Sequence, residues 1–480
     1  MSADVTVIGA GISGLSAAVD LARQGHRVIV LERQAGVGGK AQSERVNGFL
    51  MEHGPSSVAV EGVTLSQPQN LVAEADRVEL GPGVRSRYLV AGNRLHGIAV
   101  DPAAFLTSNY LSLTARLRLL AETIVPRYSG GEEETVAAFC RRRFGREFAD
   151  RVIDPLVGGM FAGRAARLSM AATFPRLVDM ERAHGSILRS VIGSRLRGKR
   201  MPARRLFSWR NGIATLPEAL AAELGPRVKV GVAVRHIRER RYGFSVETAN
   251  AGTISTDAVI IATQPHVAAE LLHNLDPDAA EAAATIEAPP VAVVFLGYAR
   301  AQIDHPLDGL GFLSPSAERR QLNGALFCST MFPGRAPDEF VALAAYFGGD
   351  RSPELARLPA SELIAMTRKE FADLLGAKGE PVLARVRHWP CGLPQYRIGH
   401  QDLLATLNAV SERRPGLFLT GNYFNGVSVT ACVDHACNRA MHVGHLLVKR
   451  SGEALETPIG LRGVLGLGSA QGDRRAARWH

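Results

Sequence analysis

The chain has 480 residues, of which 46% are hydrophobic and 21% are charged, and its formal net charge at pH 7 is +10. This length is more than one ordinary hydrophobic core needs, so we expect a globular protein of two or three domains. No stretch of 18 consecutive apolar residues is present, and the five scattered cysteines outline neither a disulfide framework nor a zinc site, which argues against a membrane-spanning helix, a disulfide-rich fold and a structural metal.

The first apolar run begins close to the amino terminus and leaves no room for a signal peptide, so we expect a reducing, cytoplasmic environment. The excess positive charge is densest between Arg189 and Arg205. Because no aromatic side chains are interleaved there for base stacking, this cluster predicts a solvated loop and no nucleic-acid partner. A basic face can also meet anionic lipid, so peripheral attachment to the inner face of a membrane is an open alternative.

A dinucleotide-binding fingerprint occupies residues 4–32. The apolar run Val5–Ile8 predicts a buried strand, and the sequence GAGISG at residues 9–14 predicts a tight turn. Apolar spacing from Leu15 to Ala22 then predicts a helix, and a second β-branched run ends at Glu32. Strand, turn, helix and strand in about thirty residues are what this fingerprint requires.

Each glycine of the turn has a physical task. Gly9 permits the turn, Gly11 lets the backbone approach a pyrophosphate, and Gly14 lets the helix sit close to the sheet. The start of the helix, which includes Ser13, offers free N–H groups and a partial positive charge to phosphate oxygens. The turn therefore predicts a pyrophosphate site.

The residues after the fingerprint favour FAD over NAD. Glu32 lies 21 residues after Gly11, where its carboxylate can accept hydrogen bonds from ribose hydroxyls and would repel a 2′-phosphate. A second glycine pair and a cation follow at Gly38, Gly39 and Lys40. These additional phosphate contacts suit the larger FAD molecule.

The middle of the chain predicts a hairpin and a helical region. Residues 86–95 predict a hairpin that turns at Gly92-Asn93. Residues 103–125 predict a long helix whose apolar stripe packs in the core, with an interfacial membrane helix as the alternative. Residues 132–150 predict a second helix that opens with three acids in its first turn. Together these patterns predict a helical insertion at residues 96–174.

The remaining sequence alternates between predicted helices and predicted strands. Helices are predicted at 213–224, 352–376 and 429–448, strands at 228–237, 259–263 and 417–422, and an antiparallel sheet at 286–350. The last strand and helix flank Gly421, and we expect them to return to the first sheet and close the FAD site.

These elements predict an α/β fold in which a Rossmann-like FAD-binding domain joins a mixed-sheet substrate domain and a helical insertion. The expected boundaries are 1–75, 205–285 and 405–450 for the FAD-binding domain, 76–95, 175–204 and 286–404 for the substrate-binding domain, 96–174 for the insertion, and 451–480 for a flexible tail.

Seven segments carry a resemblance to a known family. They are MEHGPSS (51–57), SRY (86–88), DPLVGGMFAG (154–163), LSM (168–170), ERAHGS (181–186), LPQYRIGH (393–400) and GNY (421–423). With them, the chain resembles the flavin-dependent protoporphyrinogen oxidases, which include coproporphyrinogen-oxidising members, within the amine oxidase superfamily. The resemblance covers nearly all of residues 4–448. One departure is Arg164, where the family usually has aspartate.

The resemblance implies FAD-dependent oxidation of a porphyrinogen to the porphyrin, with dioxygen reoxidising the flavin. It implies that Arg87 binds a substrate propionate and that the carbonyl of Gly163 faces pyrrole N–H groups. Because Arg164 departs from the family pattern, its second carboxylate contact is a separate hypothesis. It implies no particular catalytic side chain and no metal. His400 and Trp389 either line the flavin or are packed structural residues. The candidate FAD-binding residues are Gly9, Gly11, Ser13, Gly14, Glu32, Gly38, Gly39, Lys40, Val234, Gly421 and Val427.

Two other functions stay open at this point. One is another FAD-dependent oxidoreductase, such as an amine oxidase or a desaturase, that acts on a different apolar substrate. The other is an FAD-stabilised scaffold without activity. The sequence also leaves open which porphyrinogen is used and whether the protein is a monomer or a homodimer.

Overall fold

The computed structural model describes residues 2–61, 76–99, 104–196 and 204–451. The predicted tail from residue 452 and the central part of the basic cluster, residues 197–203, lie outside these ranges. Within them, no helix combines the length and the apolar character that a membrane span requires.

The strands belong to two large sheets and two small ones. In chain order they are β1 (Ser2–Ile8), β2 (Val28–Glu32), β3 (Ser43–Val46), β4 (Phe49–Glu52), β5 (Val58–Glu61), β6 (Arg77–Glu79), β7 (Ser86–Ala91), β8 (Arg94–Ala99), β9 (Arg204–Trp209), β10 (Val228–Val230), β11 (Val234–Glu239), β12 (Phe244–Thr248), β13 (Thr253–Ile261), β14 (Val291–Ala299), β15 (Gly309–Leu313), β16 (Gly324–Phe327), β17 (Phe340–Gly348), β18 (Leu383–Trp389) and β19 (Leu417–Leu419).

The helices cover the sheets and form a separate helical region between β8 and β9. In chain order they are α1 (Ile12–Arg23), α2 (Ala104–Thr107), α3 (Leu113–Leu120), α4 (Val136–Phe144), α5 (Arg146–Phe148), α6 (Asp154–Phe161), α7 (Met170–Thr173), α8 (Pro175–His184), α9 (Ile187–Leu196), α10 (Thr215–Leu224), α11 (Pro265–Leu272), α12 (Pro277–Thr285), α13 (Cys328–Met331), α14 (Ala360–Leu375), α15 (His400–Asn408), α16 (Val410–Arg413) and α17 (Val429–Ser451).

The first large sheet has the order β10-β2-β1-β13-β12-β11, and β19 pairs with β13. The strands β1, β2, β10, β13 and β19 pair in parallel, whereas β11 and β12 are antiparallel additions. Alternate residues of β13 face opposite sides: Ile260 packs with α1, α10 and α17, whereas Ile261 packs with α11, α12 and α15. A parallel sheet covered by helices on both faces is the predicted Rossmann-like architecture, which is confirmed.

The second large sheet has the order β18-β14-β17-β16-β15-β7-β8 and is antiparallel except for the parallel pair of β15 and β7. Helix α14 covers one face, where Phe371 packs against Leu296. On the other face, Phe49 and Met51 of β4 pack against Phe295. The predicted mixed sheet is therefore confirmed, and the segment that precedes His53 lies against it.

The predicted helix at 103–125 is wrong in one respect: it is broken into α2, α3 and a 3₁₀ turn, Ala121–Ile124. The side chain of Ser112 accepts a hydrogen bond from the N–H of Ala115 and so begins a new helix at Leu113. The expected burial of the apolar stripe is also wrong, because Leu117 is 58% exposed. Periodicity shows that a helix has an apolar face, but not whether protein covers that face.

The predicted helix at 132–150 begins only at Val136, and its three acids precede it. The side chain of Thr135 caps the helix by accepting from the N–H of Ala138. The carboxylate of Glu134 is bound instead by Arg142. The predicted strand at 228–237 is likewise two strands, because Gly231 has φ +70° and turns the chain between β10 and β11.

Candidate functional site

The carboxyl ends of four parallel strands meet at one edge of the first sheet. The N–H of Gly9 donates to Leu31 O at 2.8 Å, and that of Ala262 donates to Ile8 O at 2.8 Å. The N–H of Thr420 donates to Ile261 O at 3.0 Å. These bonds bring the ends of β1, β2, β13 and β19 into line. In open α/β sheets, this edge is where nucleotides bind.

The two predicted glycine segments lie side by side at this edge. Gly11 and Gly38 form a parallel bridge, and the N–H of Gly38 donates to Ala10 O at 2.8 Å. A Cβ added at Gly14 would lie 1.9 Å from Gly9 O, whereas a Cβ at Gly11 would meet no atom within 4 Å. The backbone is therefore closed behind the turn and open in front of it, which leaves room for a pyrophosphate.

Helix α1 begins at Ile12 without a capping side chain, so its first N–H groups are available to an anion. Ser13 lies in this first turn, and its side chain interacts with Cys432 of α17. This contact joins the helix that starts at the pyrophosphate turn to the last helix of the chain.

Glu32 is nearly buried at the end of β2. Its Oε2 accepts from the N–H of Ala10 at 2.8 Å, and its Oε1 accepts from the N–H of Gln34 at 2.8 Å. Each carboxylate oxygen retains a second acceptor position for a ribose hydroxyl. The N–H of Val232 donates to Glu32 O at 2.8 Å, so the half-buried Val234 follows along the same edge.

The ammonium group of Lys40 is bound to a backbone carbonyl. Its Nζ donates to Gly392 O at 2.6 Å, and burial lowers the pKa of its ammonium group. A Cβ at Gly54 would lie 2.1 Å from Lys40 O, so the MEHGPSS segment packs directly behind this lysine. Lys40 thus joins the glycine cradle to the segment that follows β18, while it stays beside Gly39.

The predicted closing segment follows β19. A Cβ at Gly421 would lie 2.6 Å from Cε1 of Tyr423, and Gly426 has φ +128°. Val427 is half-buried against the helical region. The ring of His400 is buried, and its Nε2 donates to Tyr423 O at 2.9 Å. His400 is therefore a packed residue that holds the closing segment.

Glu52 belongs to the MEHGPSS segment and lies next to this site, but the sequence predicted no role for its side chain. Its carboxylate accepts from Ser43 Oγ at 2.5 Å and from the N–H of Ile213 at 3.1 Å, and it lies 3.4 Å from the guanidinium of Arg335. Burial raises the pKa of Glu52 to about 7, although the charge of Arg335 acts in the opposite direction. No spacing rule could have indicated this group, because its partners are distant in the chain.

Arg87 is half-buried on β7. Side chains alternate along a strand, so Arg87 shares a face with Leu89, and Leu89 pairs with Leu313 of β15. Gly159 of α6 packs on Leu313, because a Cβ there would lie 2.5 Å from Leu313 Cδ2. Helix α6, which ends just before Gly163, therefore lies over the sheet face that carries Arg87.

Gly163 follows a left-handed residue, Ala162, at the end of α6. The neighbouring Arg164 is half-exposed, and its guanidinium donates to two backbone carbonyls, Asp350 O at 2.9 Å and Arg351 O at 2.8 Å. The structure thus brings Gly163 and Arg164 to a turn that is held against the end of β17.

Two cavities differ in their position relative to the predicted site residues. One of about 230 Å³ opens beside the second glycine segment, between Val37, His53 and Pro217. Another of about 720 Å³ lies at the opposite edge of the first sheet, and none of the predicted site residues lines it. In that second cavity, Arg450 donates to Asp257 O and Pro415 O. We therefore locate the candidate site at the carboxyl edge, where the open glycine cradle, the uncapped helix and Glu32 fit FAD.

Comparison with known proteins identifies the family of the chain and its cofactor. Protoporphyrinogen oxidase, chloroplastic, from Oryza sativa subsp. japonica is 32% identical over 482 residues, which cover 94% of this chain and 89% of that protein. Coproporphyrinogen III oxidase from Bacillus subtilis (strain 168) is 27% identical over 454 residues, which cover 90% and 95%. Cyclohexylamine oxidase from Brevibacterium oxydans IH-35A shares the fold, with a TM-score of 0.67 at 17% identity, over 93% of this chain and 99% of that one. The family described as flavin containing amine oxidoreductase matches residues 12–444. The chain therefore belongs to the flavin containing amine oxidoreductase family, and its cofactor is FAD.

Proposed function

We propose that the chain is an FAD-dependent porphyrinogen oxidase that converts protoporphyrinogen IX or coproporphyrinogen III to the porphyrin, with dioxygen as the final acceptor. The relatives named for these two reactions align with 94% and 90% of the chain. The proposal thus extends to the whole protein and not only to its nucleotide-binding part.

The observation that carries the proposal is the contact between two segments on which the family resemblance depends, DPLVGGMFAG and LPQYRIGH. Gln395 Nε2 donates to Phe161 O at 2.9 Å. The LSM segment joins the same contact, because the N–H of Ser169 donates to Tyr396 O at 2.7 Å. The second segment also contacts the flavin-closing turn through His400. These segments support a substrate site between the flavin edge and the face of the second sheet that carries Arg87.

Bound FAD would accept the electrons that leave the substrate. Arg87 would bind a propionate, since a guanidinium grips a carboxylate through two parallel hydrogen bonds. The carbonyl of Gly163 would accept from a pyrrole N–H and so fix the tilt of the macrocycle. We assign no side chain as the base, because the pyrrole protons can pass to water or to backbone carbonyls.

Arg164 would add a second carboxylate contact. Its guanidinium is already fixed by Asp350 O and Arg351 O, so binding a carboxylate would cost little additional side-chain ordering. This contact would favour the substrate with more carboxylates. The proposed FAD contacts are Gly9, Gly11, Ser13, Gly14, Glu32, Gly38, Gly39, Lys40, Val234, Gly421 and Val427.

The test uses the purified FAD-loaded protein with each porphyrinogen under air. We expect porphyrin fluorescence to rise faster than in a protein-free sample. Arg87→Met should raise the Michaelis constant about tenfold. The matched control Arg94→Met, at an exposed position of the same hairpin, should leave it unchanged. A rate equal to autoxidation with both substrates overturns the proposal, and flavin reduction by an amine would favour the amine oxidase alternative.

We further propose a cytoplasmic protein that attaches reversibly to the inner face of a membrane. The support is a row of exposed apolar side chains along α3 and the following turn, at positions that share one helix face. Leu113 is 66% exposed, Leu117 58%, Leu120 53% and Ile124 77%. Such an exposed row can enter the interfacial layer of a bilayer, and the positive net charge would favour anionic lipid.

A further inference from the structure

We infer that Gln395 and Tyr396 are positioning residues that together fix the spacing between the substrate-side turn and the flavin-closing segment. The substrate-side turn is Phe161–Gly163, and the flavin-closing segment is Gly421–Val427. The inference rests on the proposed function, because it assigns the first of these turns to the substrate.

The side chain of Gln395 holds the substrate-side turn. It is 2% exposed, and its amide nitrogen donates to Phe161 O at 2.9 Å and to Leu393 O at 3.0 Å. Two carbonyl partners fix the orientation of the amide, because the reversed orientation would place oxygen against oxygen. Oε1 therefore points at Gly163, where an added Cβ would lie 2.5 Å away. Gln395 thus bonds to one end of the turn and packs against the other.

The segment that follows β17 also contacts this turn. The N–H of Asp350 donates to Ala162 O at 2.7 Å, and a Cβ at Gly349 would lie 2.1 Å from that oxygen. Ala162 itself has φ +50°, a backbone conformation that needs support from its surroundings. The turn therefore has little freedom to move away from Gln395.

The side chain of Tyr396 holds the flavin-closing segment. Its ring is 1% exposed and stacks on His400, with the ring centroids 4.3 Å apart. Its hydroxyl donates to Asn422 O, while His400 donates to the next carbonyl, Tyr423 O, at 2.9 Å. Burial raises the pKa of Tyr396, so the hydroxyl keeps its proton and remains a donor.

The backbone of these two residues is anchored as well. The N–H of Gln395 donates to Glu287 O at 2.8 Å, and Tyr396 O accepts from the N–H of Ser169 at 2.7 Å. Adjacent residues on a fixed backbone therefore contact both the substrate-side turn and the flavin-closing segment. A displacement of about 1 Å between reacting groups can cost about a hundredfold in rate, so this spacing matters for electron transfer to the flavin.

The test compares two variants with a matched control. Tyr396→Phe removes the hydroxyl that bonds to Asn422, and Gln395→Met keeps a similar volume without the amide. The control is Tyr110→Phe: Tyr110 is also 2% exposed and donates to a carbonyl, Arg151 O at 3.0 Å, in the helical region. All three variants remove buried hydrogen bonds to carbonyls. If Gln395 and Tyr396 only stabilise the fold, all three should lower the melting temperature similarly and leave the FAD dissociation constant and kcat unchanged.

We expect Tyr396→Phe to raise the FAD dissociation constant about tenfold and to shift the visible flavin spectrum. Gln395→Met should leave FAD affinity within about twofold of wild type while it lowers kcat with a porphyrinogen about tenfold. Tyr110→Phe should change neither quantity. If the first two variants behave like Tyr110→Phe, the inference is overturned although the wild-type enzyme remains active. If wild type oxidises no porphyrinogen, the proposed function and the role of Gln395 both fail, and the FAD dissociation constant alone then decides the role of Tyr396.

Discussion

The carboxylate of Glu52 lies 3.4 Å from the guanidinium of Arg335, and both side chains are buried. Glu52 belongs to the strand that leads into the segment behind Lys40, whereas Arg335 follows α13 in the second sheet region. The pair therefore connects the FAD-binding side of the molecule with the second sheet. A buried pair of this kind costs desolvation energy, and each partner depends on the other.

This pair predicts a pH dependence of stability. Burial raises the pKa of Glu52 from 4.5 to about 7, so its protonated form favours the folded state. The contribution of protonated Glu52 to the free energy of unfolding is fully present below pH 4.5. It is lost as the pH rises from 4.5 to 7, and the total loss is about 3 kcal/mol. The measurement is the free energy of unfolding in urea at pH 5 and pH 8. The amount by which wild type exceeds Glu52→Gln should be smaller at pH 8. A difference in the free energy of unfolding between wild type and Glu52→Gln that stays constant from pH 5 to pH 8 would contradict the assignment.

Removing the carboxylate of Glu32 should weaken FAD binding. Glu32→Ala takes away the proposed ribose acceptor and the partners of the Ala10 and Gln34 N–H groups. We expect the FAD dissociation constant to rise at least about tenfold. The measurement is the flavin absorbance that remains per chain after dialysis. Glu223→Ala, on the outer side of α10, is the control. Undiminished flavin in Glu32→Ala would remove this residue from the FAD site.

A methyl group at Gly163 should disturb the substrate-side turn. In Gly163→Ala the new Cβ would lie 2.5 Å from Gln395 Oε1 and 2.9 Å from Leu168 Cδ1. We expect a loss of about 1–3 kcal/mol in the free energy of unfolding and a lower kcat with porphyrinogen. Gly131→Ala is the matched control, because its Cβ would meet no atom within 4 Å. Equal stability and equal kcat in both variants would show that the turn tolerates the methyl group.

The exposed leucines of α3 predict binding to vesicles. Leu117→Glu and Leu120→Glu should each weaken sedimentation with anionic vesicles at least about tenfold, because each leucine contributes roughly 2 kcal/mol when it leaves water. Val382→Glu provides the control, since Val382 is 53% exposed but lies beside β18. If all three variants sediment with the vesicles equally well, the exposed side chains of α3 do not bind the membrane.

The sequence predicted the parts of the fold that are determined by residues close together in the chain. The GAGISG turn, the helix after it and Glu32 lie within one short unit, and the structure places them together. The hairpin at Gly92-Asn93 is confirmed for the same reason. The break at Ser112 was missed because the apolar spacing continues across it. The assignments of individual site residues and the domain boundaries stay predictions.

The contacts that organise the site depend on distant residues. The acids before α4 were expected in its first turn, but Glu133 accepts from the N–H of Gly399 at 2.8 Å, 266 positions away in the chain. Gln395 and Tyr396 belong to the LPQYRIGH motif, but their proposed roles depend on contacts with Phe161 and Asn422. No periodic pattern encodes such pairs, because they are created when separate segments pack.

The bond from Lys40 Nζ to Gly392 O joins positions 352 residues apart, and the closing segment comes later still. A ribosome has therefore made most of the polypeptide before the cradle is complete. The fingerprint is synthesised first, but its contacts with the last strand and helix can form only after those elements are made. We therefore expect a chain that ends before β19 to lack part of the proposed FAD site.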